Sequence, residues 1–263
     1  MPQRTAPAFG LLLKEWRRLR RKSQLTVAIE AAISPRHLSF VESGRSSPSR
    51  EMVLTLAETL EVPLRERNAL LGAAGFAPVY PEAALDSADL ARVSQAVSRL
   101  LEHQEPFPAV LLDRRWNVLQ TNRAAPRLFG FFVELASLPE PRNLLRSMFD
   151  PAGLRPWIGN WDEVARTLVR RVYREAVAGV PDPQVLTLLE ELRTFPGSPE
   201  PDLGGGELPF HPVEFRKDGL RLRFFSMVTT VGAPRDVTAQ ELRIEGFFPV
   251  DEATERFARE KLA

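Results

Sequence analysis

The sequence predicts two domains, an all-α N-terminal head of five short helices and a mixed α+β body built on an antiparallel sheet. Three observations carry this expectation. Charge is segregated: the 263 residues hold 35 Lys or Arg against 34 Asp or Glu, but residues 1–80 hold 12 against 7 and the remainder 23 against 27. Composition is segregated too, since only 6 of 23 prolines and 3 of 16 phenylalanines fall in the first 80 residues. Finally, the apolar period changes from helical spacing to alternation in the last third. The expected boundaries are 1–80 for the head, 81–105 for a connecting helix and 106–263 for the body.

In the head, Phe9, Leu12, Leu13, Trp16 and Leu19 recur at helical spacing, with Lys14, Arg17, Arg18, Arg20, Arg21 and Lys22 on the other faces. Ser23 is placed to cap a second helix from Gln24, with Leu25, Ala28 and Ile29 available for packing and the small residues Ala31 and Ala32 allowing close approach. Ala32, Ile33 and Ser34 form its break. Ser34 then caps a third helix whose first turn accepts Pro35, where a missing amide proton is harmless, and whose Leu38 and Val41 point inward. That helix ends near Gly44. After the Ser46–Ser49 turn, Glu51–Leu60 carries Met52, Val53, Leu56, Ala57 and Leu60 on one face, and Leu64–Ala74 supplies a fifth helix closed near Gly75. Short consecutive helices with a tight turn between the second and third suit a helix-turn-helix domain that lays its third helix in the major groove. A small structural bundle is the alternative.

In the body, Leu85–Leu101 reads as a helix after the Pro78 and Pro81 interruption. Residues 106–130 then alternate into two short strands split near Asp113-Arg114-Arg115, followed by a short helix after Asn122. The middle is helical over Asn143–Phe149, Trp161–Ala178 and Pro183–Thr194. The last third returns to strands at Val213–Phe215, GLRLRFFSMVTTVG and QELRIEGFFP. Leu220, Leu222, Phe224, Ser226 and Val228 share one face, and Arg221, Arg223, Phe225, Met227 and Thr229 the other, where Phe225 and Met227 call for cover by a helix or a dimer partner.

The run from Ser23 to Pro63 resembles the DNA-binding core of the lambda-repressor-like, or XRE-type, bacterial regulators. The signature is Ser-Gln opening helix 2, Ser opening helix 3, then Glu42, Gly44, Arg45, Pro48 and Ser49 before another amphipathic helix. RHLSFVESGRSSPSR is more narrowly similar to the MmyB-like branch, and Trp116, Asn117 and Asn122 continue that resemblance into the body. It implies a C-terminal PAS-like domain that senses an apolar or fatty-acid-like small molecule, and a homodimer on an inverted repeat of double-stranded DNA. It also places Gln24 against the DNA backbone or a base edge, with a surface cap as the alternative.

Within that frame, Ser34, Arg36, His37, Ser39 and Phe40 lie on the recognition helix. Arg36 suits a bidentate contact to guanine, His37 a base or phosphate, Ser39 a phosphate or its own helix, and Phe40 either a thymine methyl or the core. Arg45 and Arg50 bracket the turn and reach for phosphate. Glu42 is expected to tie local structure or pair with a basic residue rather than face DNA. In the body, Trp116, Asn122, Phe224, Met227 and Phe247 are the residues expected to line a ligand cavity, with routine packing as the alternative for each.

Catalysis fares poorly. The chain has no cysteine, which excludes disulfides, thiolate nucleophiles and Cys-ligated metals, and its three histidines are scattered. Asp162-Glu163 and Glu190-Glu191 fit helix surfaces, and Gly204-Gly205-Gly206 lacks the lysine and hydroxyl of a phosphate loop. No enzyme, metal or obligatory cofactor is expected. No apolar run approaches the roughly 20 residues of a membrane span, so a cytoplasmic protein without membrane insertion is expected. The competing function is a protein-interaction or assembly module that keeps a repressor-like bundle without operator recognition.

Overall fold

The computed structural model describes residues 8–177, 183–199 and 211–263. The Gly204-Gly205-Gly206 segment and Ala178 lie outside them. The chain divides into two compact units, with the first break between Glu82 and Ala83; Ala176, Val177 and Arg235–Val237, at the end of one helix and the start of another of the second unit, group with the first.

The first unit contains α1 (Ala8–Leu19), α2 (Gln24–Glu30), α3 (Pro35–Glu42), α4 (Arg50–Thr59) and α5 (Leu64–Ala73). Three starts are set by serine caps. The Oγ of Ser23 accepts from the Thr26 N–H, that of Ser34 from His37 and that of Ser49 from Met52, at 3.0, 3.1 and 3.2 Å. All five ends share one device: a residue at positive φ followed by an N–H that reaches back five residues to a carbonyl. Gly44 and Gly75 supply two of these turns. Arg21, Ala32 and Glu61 supply the others at φ 52°, 53° and 48°, conformations that cost a residue with a side chain about 1 kcal/mol. Their reach-back bonds are Lys22 to Arg17, Ile33 to Ala28 and Val62 to Ala57 at 3.1, 2.9 and 2.8 Å.

Phe9, Leu13, Trp16, Val27, Ala28, Leu38, Val41, Leu56 and Leu70 form the core of this unit. One expectation is corrected here. Leu25 and Ile29 do not pack inward but are 57% and 69% exposed, because α2 buries the stripe Val27, Ala28 and Ala31 and turns the opposite flank to solvent. Gly10 marks where α1 crosses the end of α3: a Cβ there would sit 2.4 Å from the Glu42 carbonyl oxygen and 2.8 Å from that of Val41.

The second unit opens with α6 (Ala91–His103), then β1 (Ala109–Leu112), β2 (Val118–Thr121), α7 (Ala124–Phe132), α8 (Leu144–Phe149), α9 (Trp161–Val177) and α10 (Pro183–Thr194). It continues with β3 (Val213–Lys217), β4 (Leu220–Thr230), α11 (Val237–Glu241), β5 (Arg243–Pro249) and α12 (Glu252–Phe257). The five strands form one antiparallel sheet in the order β2-β1-β5-β4-β3, the order of a PAS-like fold. The Asp218-Gly219 turn, with φ 49° and 81°, joins β3 to β4 as Asp-Gly hairpins do.

Val97 and Leu101 of α6 pack with Ala109, Leu111, Leu242 and Ile244 on one face of the sheet. Leu222 and Phe224 are buried, and Phe215 of β3 stacks on Phe132 of α7 with ring centroids 5.1 Å apart. On the α6 face, Phe225 is half-buried against Phe248, its register partner on β5, whereas Met227 stays 57% exposed. The sequence reading also missed α12. Its start is signalled by Asp251, whose Oδ1 accepts from the Thr254 backbone at 2.9 Å and from its hydroxyl at 2.8 Å.

Candidate functional site

The α2–α3 pair is held by one carboxylate. Glu42, at the end of α3, is buried and accepts from Arg17 Nε and Nη2 of α1 at 2.7 and 3.1 Å and from Gln24 Nε2 of α2 at 2.6 Å. The expected pairing of Glu42 with a basic residue is therefore present. It also shows what Gln24 does in the free protein, since its amide nitrogen is spent on Glu42 and its carbonyl oxygen remains. Two other basic residues of this end of the unit are used internally. Arg20 donates from Nε to the Leu60 carbonyl at 2.8 Å, and Lys22 donates to the Thr59 carbonyl at 3.0 Å while pairing with Glu30.

The side chains expected to meet DNA divide by exposure. Ser34 and Arg36 are exposed, Ser39 and Phe40 half-buried, and Arg45 and Arg50 exposed beyond the helix. The Ser34 oxygen caps α3, leaving its own O–H free to donate. The His37 ring is half-buried and its Nε2 is shielded from solvent without a partner. Phe40 brings two of the others together: the guanidinium carbons of Arg36 and Arg45 lie 5.3 and 5.8 Å from its ring centroid. Arg50 stands apart at the first position of α4.

The second unit carries a cavity of about 80 Å³ walled by Trp116, Leu144, Met148, Leu168, Arg171 and Phe247, with His211 and Glu245 also in its lining. Trp116 is fully buried, and the guanidinium carbons of Arg171 and Arg243 lie 4.4 and 4.0 Å from its ring. Its indole N–H donates to Glu175 at 3.0 Å. Glu175 also accepts from Arg243 at 2.9 Å, and Glu245 accepts from Arg171 at 3.1 Å, so two positive and two negative groups balance around the ring. A second cavity of about 80 Å³, lined by Val110, Val118, Phe129, Leu135 and Leu138, shares Leu144 with the first. A groove of about 300 Å³ runs between α6 and the opposite face of the sheet, along Val93, Val97, Leu100, Leu242 and Ile244.

Of the five residues expected to line a cavity, Trp116 and Phe247 do so together. Phe224 is buried and lines none of these cavities. Met227 is exposed on the α6 face of the sheet, because alternate residues of β4 point to opposite sides and Ser226 takes the cavity side. Asn122 is consumed by backbone: its Oδ1 accepts from Ala109 and Ala125, and its Nδ2 donates to Phe107. Arg171, Glu245 and Leu144 were missed by sequence reasoning. Glu245 left a signal, being a carboxylate two residues before Phe247 on the same strand face.

Two carboxylates nearby have displaced acidities. Glu163 is held below its ordinary pKa, chiefly by its hydrogen bond with His211 Nδ1 at 2.9 Å, against an opposing push from burial. For Glu214, burial pushes the pKa up, but hydrogen bonds from Arg221 and Arg216 outweigh it and the net displacement is downward.

Residues 93–260 match the family described as the MmyB-like transcription regulator ligand binding domain. The chain belongs to that family. Residues 8–70 match a helix-turn-helix domain, so this MmyB-like chain joins a helix-turn-helix head to a ligand-binding body, neither of them a catalytic type. The resemblance read from Ser23–Pro63 and from Trp116, Asn117 and Asn122 is confirmed. No curated protein matches the sequence. Among solved structures, an RNA-binding light-oxygen-voltage receptor is similar at 13% identity and a TM-score of 0.31, covering 98% of this chain. The MmyB-like chain spans 62% of that receptor chain's length, and so distant a likeness supports no functional statement. Among the described residues, no group of three or more His, Asp or Glu is arranged to hold a metal, and no helix is long and apolar enough to cross a membrane.

Proposed function

We propose that this MmyB-like chain is a sequence-specific DNA-binding transcriptional regulator whose C-terminal domain takes an apolar or fatty-acid-like small molecule. The observation that carries the DNA reading is the exposed Arg36 in the first turn of α3, presented by a helix-turn-helix in which Glu42 fixes α1, α2 and α3 together. In this reading Arg36 reads a base edge, Ser34, Ser39 and His37 approach base or phosphate, Arg45 and Arg50 hold phosphates, and Gln24 uses its free carbonyl on a base donor. A homodimer would present two such helices about one turn of duplex apart, matching an inverted repeat. The ligand reading is supported by the family match and by the cavity at Trp116 and Phe247. The lining is apolar apart from Arg171, His211, Glu245 and small hydroxyls, so Arg171 offers a cation at its polar edge. A ligand alters DNA binding only through a difference in its affinity for the two arrangements of the protein.

The test is selection of genomic fragments by the purified full chain, before and after delipidation. The expected result is a shared motif of two inverted half-sites with centres about 10 base pairs apart. Arg36→Ala should weaken binding to that motif by about 1–3 kcal/mol and relax preference at one position, as read by fluorescence anisotropy on single-base variants. Recovery of no common motif in either state would reject operator recognition and favour the assembly-module reading.

A further inference from the structure

Arg36 and Arg45 are held differently from the cations of the same unit that pair with carboxylates, and from Arg20 and Arg67, which lie over Trp16 and Tyr80 but also donate to the Leu60 and Val62 carbonyls. Arg17, Lys22 and Arg65 each pair with a carboxylate, Glu42, Glu30 and Glu82 respectively, and part of their donor capacity is consumed in doing so. Among the described residues, no carboxylate pairs with Arg36 or Arg45. Both instead lie over the Phe40 ring, at 5.3 and 5.8 Å from its centroid. An aromatic partner attracts a guanidinium through the ring quadrupole and occupies none of its N–H groups. All five donors of each fork stay available for a planar acceptor pair such as guanine O6 and N7, or for phosphate oxygens.

The backbone reinforces the arrangement. Arg36 precedes Phe40 by one helical turn, so the two share a face of α3. Arg45 would point elsewhere if the helix continued, but Gly44 takes φ 72° and turns the chain back. The Arg45 and Ser46 N–H groups then both donate to the Phe40 carbonyl, at 2.8 and 3.2 Å. Phe40 thus fixes Arg45 through its main chain and both guanidiniums through its ring. The ring is outside the hydrophobic cluster of the unit and only half-buried, so packing of the core does not account for it.

We infer that Phe40 is a positioning residue, an aromatic shelf that holds Arg36 and Arg45 ready for a guanine and a neighbouring phosphate of the same half-site, and not a reader of a thymine methyl. The inference rests on the DNA-binding reading above. Its physical basis is preorganisation: a long arginine side chain loses rotamer freedom on docking, and a side chain already confined by the ring loses less. It specifies the ligand more narrowly, as a half-site with a guanine at the position contacted by Arg36 and no requirement for thymine beside Phe40.

The test uses the full chain and the DNA motif it selects, with dissociation constants measured on that operator and on its single-base variants. Two exposed ring–cation contacts of ordinary strength predict that Phe40→Leu weakens operator binding about 5–30-fold and erodes the guanine preference. Phe40→Trp and Phe40→Tyr, which keep a π face, should stay within about threefold of the parent. In an Arg36→Ala, Arg45→Ala background, Phe40→Leu should add less than about twofold, since the groups it positions are gone. Phe40→Met, of similar bulk without a ring, should reproduce the leucine result and serves if the leucine variant does not fold. Three results would overturn the shelf: full guanine preference retained in the leucine and methionine variants, loss confined to a thymine position, or penalties for Phe40 and the arginines that simply multiply. Failure of the parent protein to select any motif would overturn the DNA reading and the shelf with it, whereas the other three outcomes leave the DNA reading standing.

Discussion

Glu42→Ala should destabilise the helical unit by about 3 kcal/mol, the lower end of the 3–5 kcal/mol range for breaking a buried ion pair from one side. The carboxylate is 4% exposed and receives three donors from two other helices, so its removal strands groups on both α1 and α2. Arg17, with a side chain 14% exposed, would keep only the Lys22 carbonyl at 3.1 Å. The Gln24 amide would lose its partner as well. A desolvated guanidinium left unpaired is the dominant cost, larger than the few tenths of a kcal/mol of an exposed pair such as Arg65–Glu82. The same logic predicts a recovery: Arg17→Met combined with Glu42→Leu removes both charges and should regain most of the loss, because an apolar pair of similar volume pays no desolvation penalty. Hydrogen exchange of α1–α3 amides in the intact chain measures the effect on this unit without interference from the other. Exchange unchanged by Glu42→Ala would show that the bidentate pair contributes nothing beyond what solvent would supply. Operator affinity should fall in the same variant, since Gln24 and α3 lose their common anchor.

Which parts of this architecture were legible in sequence follows from the range of the interactions that create them. The starts of α2 and α3 were readable because Ser23 and Ser34 each act on an N–H three residues away; Ser49 does the same for α4, which begins at Arg50, one residue before the expected start at Glu51. The ends were readable where glycine makes the left-handed turn, at Gly44 and Gly75. At Leu19 and near Leu60 the ends were legible only from where the apolar period stops, because Arg21 and Glu61, which make the turn, do not favour that conformation. On α2, Ala28 and Ala31 were read correctly, whereas Leu25 and Ile29 were misplaced inward because they are more hydrophobic, although close approach of helices selects the smaller side chains. In the body, strands and the long helices were legible from period. Sheet order was not, because placing β5 between β1 and β4 depends on pairing across more than a hundred residues. The same division holds at the sites. Arg36, Phe40 and Arg45 sit within ten residues and their relation is largely local. The cavity wall draws Arg171 from α9 and Glu245 from β5; in sequence Arg171 reads as an ordinary surface charge, and Glu245 is marked only by sharing a strand face with Phe247.

Trp116→Ala should be the most damaging substitution in the second unit, at about 4 kcal/mol or more. Loss of a fully buried indole alone costs about 3–5 kcal/mol through transfer and cavity terms. Here the ring is also the surface on which Arg171 and Arg243 rest, and its N–H supplies one of the donors to Glu175. Without it, two guanidiniums face an enlarged cavity, with Glu175 and Glu245 left to compensate them. Trp116→Phe separates the contributions. It keeps an aromatic face for both arginines but deletes the N–H, so its cost should be about 1–3 kcal/mol, that of leaving a partly buried carboxylate one donor short. Backbone strain does not distinguish the two variants, since phenylalanine and alanine both retain a side chain at φ 68°. Denaturant unfolding of the full chain, followed by hydrogen exchange in β1, β5 and α9, reads the difference directly. Equal losses for alanine and phenylalanine would assign the stabilisation to the indole hydrogen bond, and a small loss for both would mean that Arg171 and Arg243 are held by their carboxylates alone. The expected ordering, alanine well below phenylalanine, makes the ring itself the element that keeps a balanced group of four charges beside an apolar cavity.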